Sequence, residues 1–183
     1  MIEVTKTEAD GLCIIKSKVF ADSRGYFVET FNLNEFRTHG LPHVFVQDNQ
    51  SFSRKGVLRG MHLQSAPYTQ TKLVRAVQGK ILDVAIDLRR DSKTFKKVFT
   101  CDLSDENGLQ FLVPKGFAHA FVVLTETALV SYKCDEFYVP KSDGGIIYND
   151  PELNIDWKLP ADQLVISDKD KALPTLKEYL ARG

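Results

Sequence analysis

"GKILDVAIDL", residues 79–88, puts Leu82, Val84, Ile86 and Leu88 on one side of an extended chain and Asp83 and Asp87 on the other. That period of two is the mark of a β-strand, because successive side chains leave the backbone on opposite faces. The simplest expectation is an apolar face turned to a core and a solvated outer face carrying the aspartates. Short runs of the same kind extend in both directions: "GLCIIKSKVF", "GYFVETFN", "HVFVQDNQSF", "GVLRGMHLQ" and "TKLVRAVQG" before it, "FKKVFTCDL", "LQFLVPKG", "HAFVVL" and "ALVSYKCDEFYVP" after it. Turn residues separate them, which predicts an all-β sandwich or barrel. Helical spacing is confined to "LNEFRTHG" at 33–40 and "LPTLKEYLARG" at the end of the chain. The last thirty residues, rich in Asp, Lys and Pro, are expected to wrap the outside.

One of these runs is unusual. In "GVLRGMHLQ", residues 56–64, His62 shares a face with Leu58, Gly60 and Gln64, while Arg59 lies opposite with Val57 and Met61. Both faces are mostly apolar, and burying a guanidinium or an imidazole is costly unless something pairs with it. A barrel that encloses a ligand resolves the cost, since such interiors carry a few polar groups among apolar ones. Three residues apart, the two side chains cannot point the same way on a flat strand. A twist or a bulge at Gly60 is therefore expected.

Composition sets the outer limits. The 183 residues suit one domain, 1–183, with a full core. Lys and Arg number 24 against 24 for Asp and Glu, so no overall field draws in nucleic acid or a membrane surface. Met1 is not followed by a charged segment and a long apolar run, so neither a signal peptide nor a membrane span is expected, and the protein is placed in the cytoplasm. Cys13, Cys101 and Cys134 are far apart and odd in number, which suits packed thiols better than a disulfide framework. His39, His43, His62 and His119 are scattered with no H-x-H pair, so a metal site is not expected.

A metal-free site on His62 needs a carboxylate to hold the ring, a cation for developing negative charge and a separate acid. "SDKD" at 167–170 offers Asp168 or Asp170, "TQTKLV" offers Lys72, and "SYKCDEFYVP" offers Tyr132 and Tyr138. In an unbent strand the two tyrosines stand up to about 20 Å apart, at roughly 3.3 Å per residue, so Tyr138 is expected on a distant part of a long ligand. With Arg24, Arg59 and Lys72 as local anion clamps, such a ligand looks like a nucleotide-linked metabolite. In "DSRGYFVE" Gly25 makes a turn, and Phe27 and Glu29 share a face that suits sandwiching and hydrogen-bonding a base.

Taken in order, "DSRGYFVETF", "FVQDNQSFSRKGVLRGMHLQ", "KLVRAVQGKILDVAIDLR", "VPKGFAHAF", "SYKCDEFYVP", "NDPELNIDW" and "SDKD" resemble the dTDP-4-dehydrorhamnose 3,5-epimerase family over essentially the whole chain. The resemblance implies a cupin-like jelly-roll barrel of antiparallel strands with a few short peripheral helices. It also implies proton abstraction beside the carbonyl of a dTDP-4-keto-6-deoxyhexose, with no cofactor and no metal. His62 would be the base, Asp170 rather than Asp168 its partner, Lys72 the stabiliser of the enolate and Tyr132 the acid on the opposite face. Imidazole, with an ordinary pKa of about 6.5, suits a base near neutral pH. Substrate contacts would fall to Arg24, Phe27 and Glu29 at the thymine end, Gln47 and Asn49 from "QDN", Arg59 toward the phosphates, His119 toward the sugar with Asp83 supporting it, Tyr138 stacking near the base, and Asp143 and Lys169. The Arg24 strand would come from the partner in a homodimer. Met61, Thr71, Ala120 and Asp143 depart from the usual pattern, and none of them is the proposed base, acid or cation.

Three other functions fit parts of this pattern: an epimerase that inverts one centre, a sugar-nucleotide-binding barrel without catalysis, and a metal-dependent cupin oxygenase. The set His62, Asp170, Lys72 and Tyr132 disfavours the binder, which has no use for an acid and a base on opposite faces.

Overall fold

A computed structural model of the chain describes residues 1–42 and 44–181, so His43 and the last two residues of the C-terminal helical run lie outside the described residues. Along the chain run β1 (Ile2–Lys6), β2 (Cys13–Ser17), β3 (Val19–Asp22), β4 (Gly25–Val28), β5 (Gln47–Arg54), β6 (Val57–Gln64) and β7 (Lys72–Gln78). They are followed by β8 (Lys80–Asp87), β9 (Val98–Ser104), β10 (Leu109–Val113), β11 (Phe117–Val123), β12 (Thr127–Cys134), β13 (Asp143–Gly145) and β14 (Val165–Ile166). Short α-helices α1 (Leu33–Thr38), α2 (Asp168–Lys171) and α3 (Leu176–Ala181) and two 3-10 turns, Pro140–Ser142 and Ala161–Gln163, complete the set. Both expected helices are present, and α2 is an addition that lacks any helical periodicity of its own. Among the described residues no helix is long and apolar enough to cross a membrane.

The strands form two principal sheets, ordered β1-β2-β10-β7-β12-β5 and β13-β6-β11-β8-β9, with β14 added beside β6 and β3-β4 as a separate hairpin. Apart from the parallel β14–β6 pair, every pairing is antiparallel. The fold is thus mainly β and cupin-like, as expected. Between the sheets lies a core to which the first contributes Val74, Ala76, Phe111 and Val130, and the second Ile81, Ala85, Leu103 and Phe121.

The outer faces are covered as well, which overturns the expectation for "GKILDVAIDL". Leu82, Val84 and Ile86 do not face the space between the sheets. They pack outward against Leu153, Trp157 and Leu176 of the C-terminal wrap. Asp83 and Asp87 face inward and are fully buried. A solvated face was the wrong expectation because β8 is covered on both sides, a property that one strand's alternation cannot reveal. Each carboxylate is paired instead: Asp83 with His119, and Asp87 with Arg89, Ser92 and Thr94. The first sheet is covered by α1, whose Phe36 is fully buried beside Ile15, Leu73 and Leu112. Asn32 caps that helix by accepting the amides of Asn34 and Glu35.

Candidate active site

The conflict between Arg59 and His62 is settled by the register of β6. His62 pairs with His119 and Arg59 with Phe121, so three steps along β6 match two along β11. One extra residue is accommodated, a β-bulge that re-aims the side chains on either side of it. Gly60 sits in the bulge at φ 138°. A Cβ there would lie 2.3 Å from the Ala120 Cβ and 2.8 Å from the His119 carbonyl oxygen, so no side chain fits. With the offset in place, Arg59 and His62 both line one cavity of about 560 Å³.

Asp170 reaches that cavity from α2. Ser167 caps this short helix by accepting the Asp170 amide at 3.1 Å. The Asp170 carboxylate, 4 % exposed, accepts a hydrogen bond from His62 Nε2 at 2.7 Å with one oxygen and from the Gly60 amide at 3.3 Å with the other. Asp168 is turned away and pairs with Lys171. An ionised Asp170 keeps the proton on Nε2 and leaves the lone pair on Nδ1, the arrangement a proton acceptor needs.

Beside His62, His119 Nε2 binds Asp83 at 2.8 Å. The other Asp83 oxygen is buried without a partner, and burial raises the carboxyl pKa against the opposing pull of His119 and Lys72. Lys72 and Tyr132 come from the facing sheet, on β7 and β12, and line the same cavity. The Lys72 ammonium makes no hydrogen bond or ion pair among the described residues. Burial pushes its pKa down, opposed by the charges of Cys134, Asp143 and Asp83. Burial raises the Tyr132 pKa, so its phenol keeps its proton well above neutrality, while Arg59 pulls the other way.

A smaller cavity of about 130 Å³ shares His62, Lys72 and Tyr132 with the first and continues past Gln47, Asn49, Tyr138 and Asp143. β12 stops at Cys134 and the chain bends, so Tyr138 returns to a cavity that Tyr132 also lines; the unbent geometry considered from the sequence does not occur. Asp143 Oδ2 accepts from Tyr138 Oη at 3.1 Å and from Lys169 Nζ at 2.6 Å. The Lys169 pKa is raised by that bond.

Arg24, Phe27 and Glu29 are not brought here. Arg24 pairs with Asp22 at the tip of the β3–β4 hairpin, Phe27 is exposed on it, and Glu29 accepts from Asn32. None of the three lines either cavity. Two residues that the sequence did not single out do take part. Ser53 accepts Arg59 Nε at 3.2 Å, and Ser51 lines the larger cavity with its hydroxyl buried and unpartnered. Their signal was present as the period-two row Gln47, Asn49, Ser51, Ser53 on β5.

An imidazole held by a carboxylate, with an ammonium and a phenol across the cavity, is a constellation for removing and returning a proton. Residues 6–178 match the family described as dTDP-4-dehydrorhamnose 3,5-epimerase. The chain belongs to this family. A dTDP-4-dehydrorhamnose 3,5-epimerase from Methanothermobacter thermautotrophicus is 49% identical over 174 residues, covering 94% of each chain. The crystal structure of a Legionella pneumophila dTDP-6-deoxy-D-glucose-3,5-epimerase in complex with dTDP-4-keto-L-rhamnose superimposes with TM-score 0.92 at 44% identity, covering 97% of this chain and 94% of that one. A 3'-monoepimerase from Streptomyces bikiniensis, in complex with dTDP-quinovose, has the same fold at TM-score 0.87 and 31% identity, covering 96% and 89%.

Proposed function

We infer that this family member is a nucleotide-sugar isomerase that converts dTDP-4-keto-6-deoxy-D-glucose to dTDP-4-keto-L-rhamnose by inverting C3 and C5. The observation that carries this is the single cavity lined by the His62–Asp170 pair from one sheet and by Lys72 and Tyr132 from the facing sheet. Epimerisation requires a base and an acid on opposite faces of one carbon, and side chains from two opposed sheets suit that need.

His62 Nδ1 takes the proton beside the carbonyl, and the C–H electron pair moves into an enolate whose oxygen is stabilised by the Lys72 ammonium. In a cavity poor in water such a fixed charge is worth about 10²–10³ in rate. Tyr132 then gives its proton to carbon from the other face, and the phenolate and imidazolium exchange protons with solvent before the second centre is treated. No cofactor takes part. Arg59 binds the pyrophosphate, Gln47 and Asn49 contact the substrate from the smaller cavity, His119 supported by Asp83 binds the sugar, Tyr138 stacks on the base, and Asp143 and Lys169 line the ligand. Arg24, Phe27 and Glu29 act on the base of a ligand held by a second copy, in a homodimer. Residues 1–183 work as one unit in the cytoplasm, with neither nucleic acid nor membrane as partner.

The likeness to a 3'-monoepimerase supports a second reading, inversion of one centre alone. Incubation with dTDP-4-keto-6-deoxyglucose in deuterated water, followed by NMR of the nucleotide product, separates the two. Deuterium at both C3 and C5 with the L-rhamno configuration is the expected result, and deuterium at one carbon gives the narrower function.

A further inference from the structure

Gln64 closes the same stretch that carries Arg59 and His62, yet the chemistry gives it nothing to do. It is 4 % exposed. Its Oε1 accepts the Val139 amide at 2.6 Å, and its Nε2 donates to the carbonyl oxygens of Phe137 at 3.1 Å and Tyr68 at 2.7 Å. Both donor hydrogens are thereby used, so the amide has little left to offer a ligand. Two more glutamines grip the same loop. Gln70 Nε2 donates to the Glu136 carbonyl at 2.8 Å, and Gln47 Oε1 accepts the Tyr138 amide at 3.0 Å.

Three glutamine side chains, from β5, from β6 and from the lead-in to β7, therefore bind the backbone at each of residues 136–139. These residues follow the end of β12 and lack a strand partner, so side chains must supply what a ladder otherwise would. Tyr138 is 49 % exposed and is not held by packing. Its hydroxyl is tied to Asp143 at 3.1 Å, and the backbone beneath it sets where the ring starts.

We propose that Gln64, with Gln70 and Gln47, clamps the loop of residues 136–139 and so sets affinity for the nucleoside diphosphate end of the substrate by aiming Tyr138 at the base. Gln64 is a positioning residue: it acts through Tyr138 and not on the reacting carbons. The proposal rests on the assignment of Tyr138 as the stacking platform. Replacing Gln64 by Met keeps the volume but strips the Val139 amide and two carbonyls of their partners, which releases the loop.

The test is calorimetric binding of dTDP to the wild type, Gln64→Met, Tyr138→Ala and the double variant, together with kcat and KM on the full substrate. Expected are a loss of dTDP affinity of about tenfold in each single variant, little further loss in the double, a raised KM and a kcat for Gln64→Met within about threefold of wild type. If Tyr138→Ala weakens binding and Gln64→Met does not, the clamp is wrong. Losses that multiply in full in the double variant also overturn it, because Gln64 would then act apart from Tyr138. If Tyr138→Ala binds dTDP like wild type, the stacking assignment beneath the proposal fails. Gln64→Glu, which retains the acceptor for Val139, serves if the Met variant does not fold. Amide exchange in the wild type adds a check free of mutation: slow exchange at Val139 supports the clamp, and exchange at the rate of an open loop contradicts it.

Discussion

Asp170 holds the His62 ring with one oxygen and the bulge amide of Gly60 with the other, so one carboxylate fixes both the tautomer of the base and its position. Asp170→Asn keeps the shape and loses the charge. It is expected to lower kcat by about 10²–10⁴ while KM stays within a few-fold, as steady-state kinetics will show. Lys72 and Tyr132 make a second prediction, about pH. Burial lowers the Lys72 pKa and raises that of Tyr132, and the chemistry needs both protonated. Loss of the lysine's proton removes the stabiliser of the enolate, so the alkaline limb of the kcat profile lies below the ordinary lysine value of about 10.4. Lys72→Arg, with a cation that does not titrate, moves that limb upward. An alkaline limb above the ordinary lysine value contradicts this assignment. Both residues were legible as candidates from their neighbours in sequence; that they share one cavity was not, because the distance between β7 and β12 on one side and β6 on the other is set by packing.

Strand β6 shows what alternation conveys and where it stops. The opposite parity of Arg59 and His62 was enough to require an irregularity at Gly60. Its register against β11 was not predictable, because it depends on how closely Ala120 approaches the glycine. Gly60→Ala forces a Cβ to within 2.3 Å of the Ala120 Cβ. The expected cost is about 2–4 kcal/mol, from overpacking and from a left-handed backbone that L-residues avoid. Urea unfolding checks the stability, and kcat falls beyond what stability explains because His62 is re-aimed. The bend after Cys134 was equally hidden, since the chain there is held by glutamines from three separate segments and by no local turn signal.

At the scale of the whole molecule, the C-terminal wrap decides which way the strands face. Its composition announced an outer layer and the resemblance gave Asp83 a partner in His119, but the burial of Asp87 emerged only with Leu153, Trp157 and Leu176 in place over β8. Burial works to raise the Asp87 pKa, and bonds from Arg89, Ser92 and Thr94 outweigh it, bringing the carboxyl down to about 2. A depressed carboxylate stabilises the fold at every pH above its unfolded value of about 3.9, and that stabilisation is lost as pH falls through about 2. Asp87→Asn should therefore cost about 2 kcal/mol at pH 7, with the difference from wild type shrinking in acid, as denaturation across pH will show. The sandwich that buries Asp87 also sets His62 and Tyr132 on opposed sheets, and the proposed chemistry depends on that opposition. The most direct test is Tyr132→Phe in deuterated water, followed by NMR of the sugar. With the base intact and the opposite acid removed, solvent deuterium should still enter at carbons next to the carbonyl while net inversion falls by about 10²–10⁴, and His62→Ala should lose both. Tyr132→Phe that inverts at the wild-type rate would contradict the two-faced site.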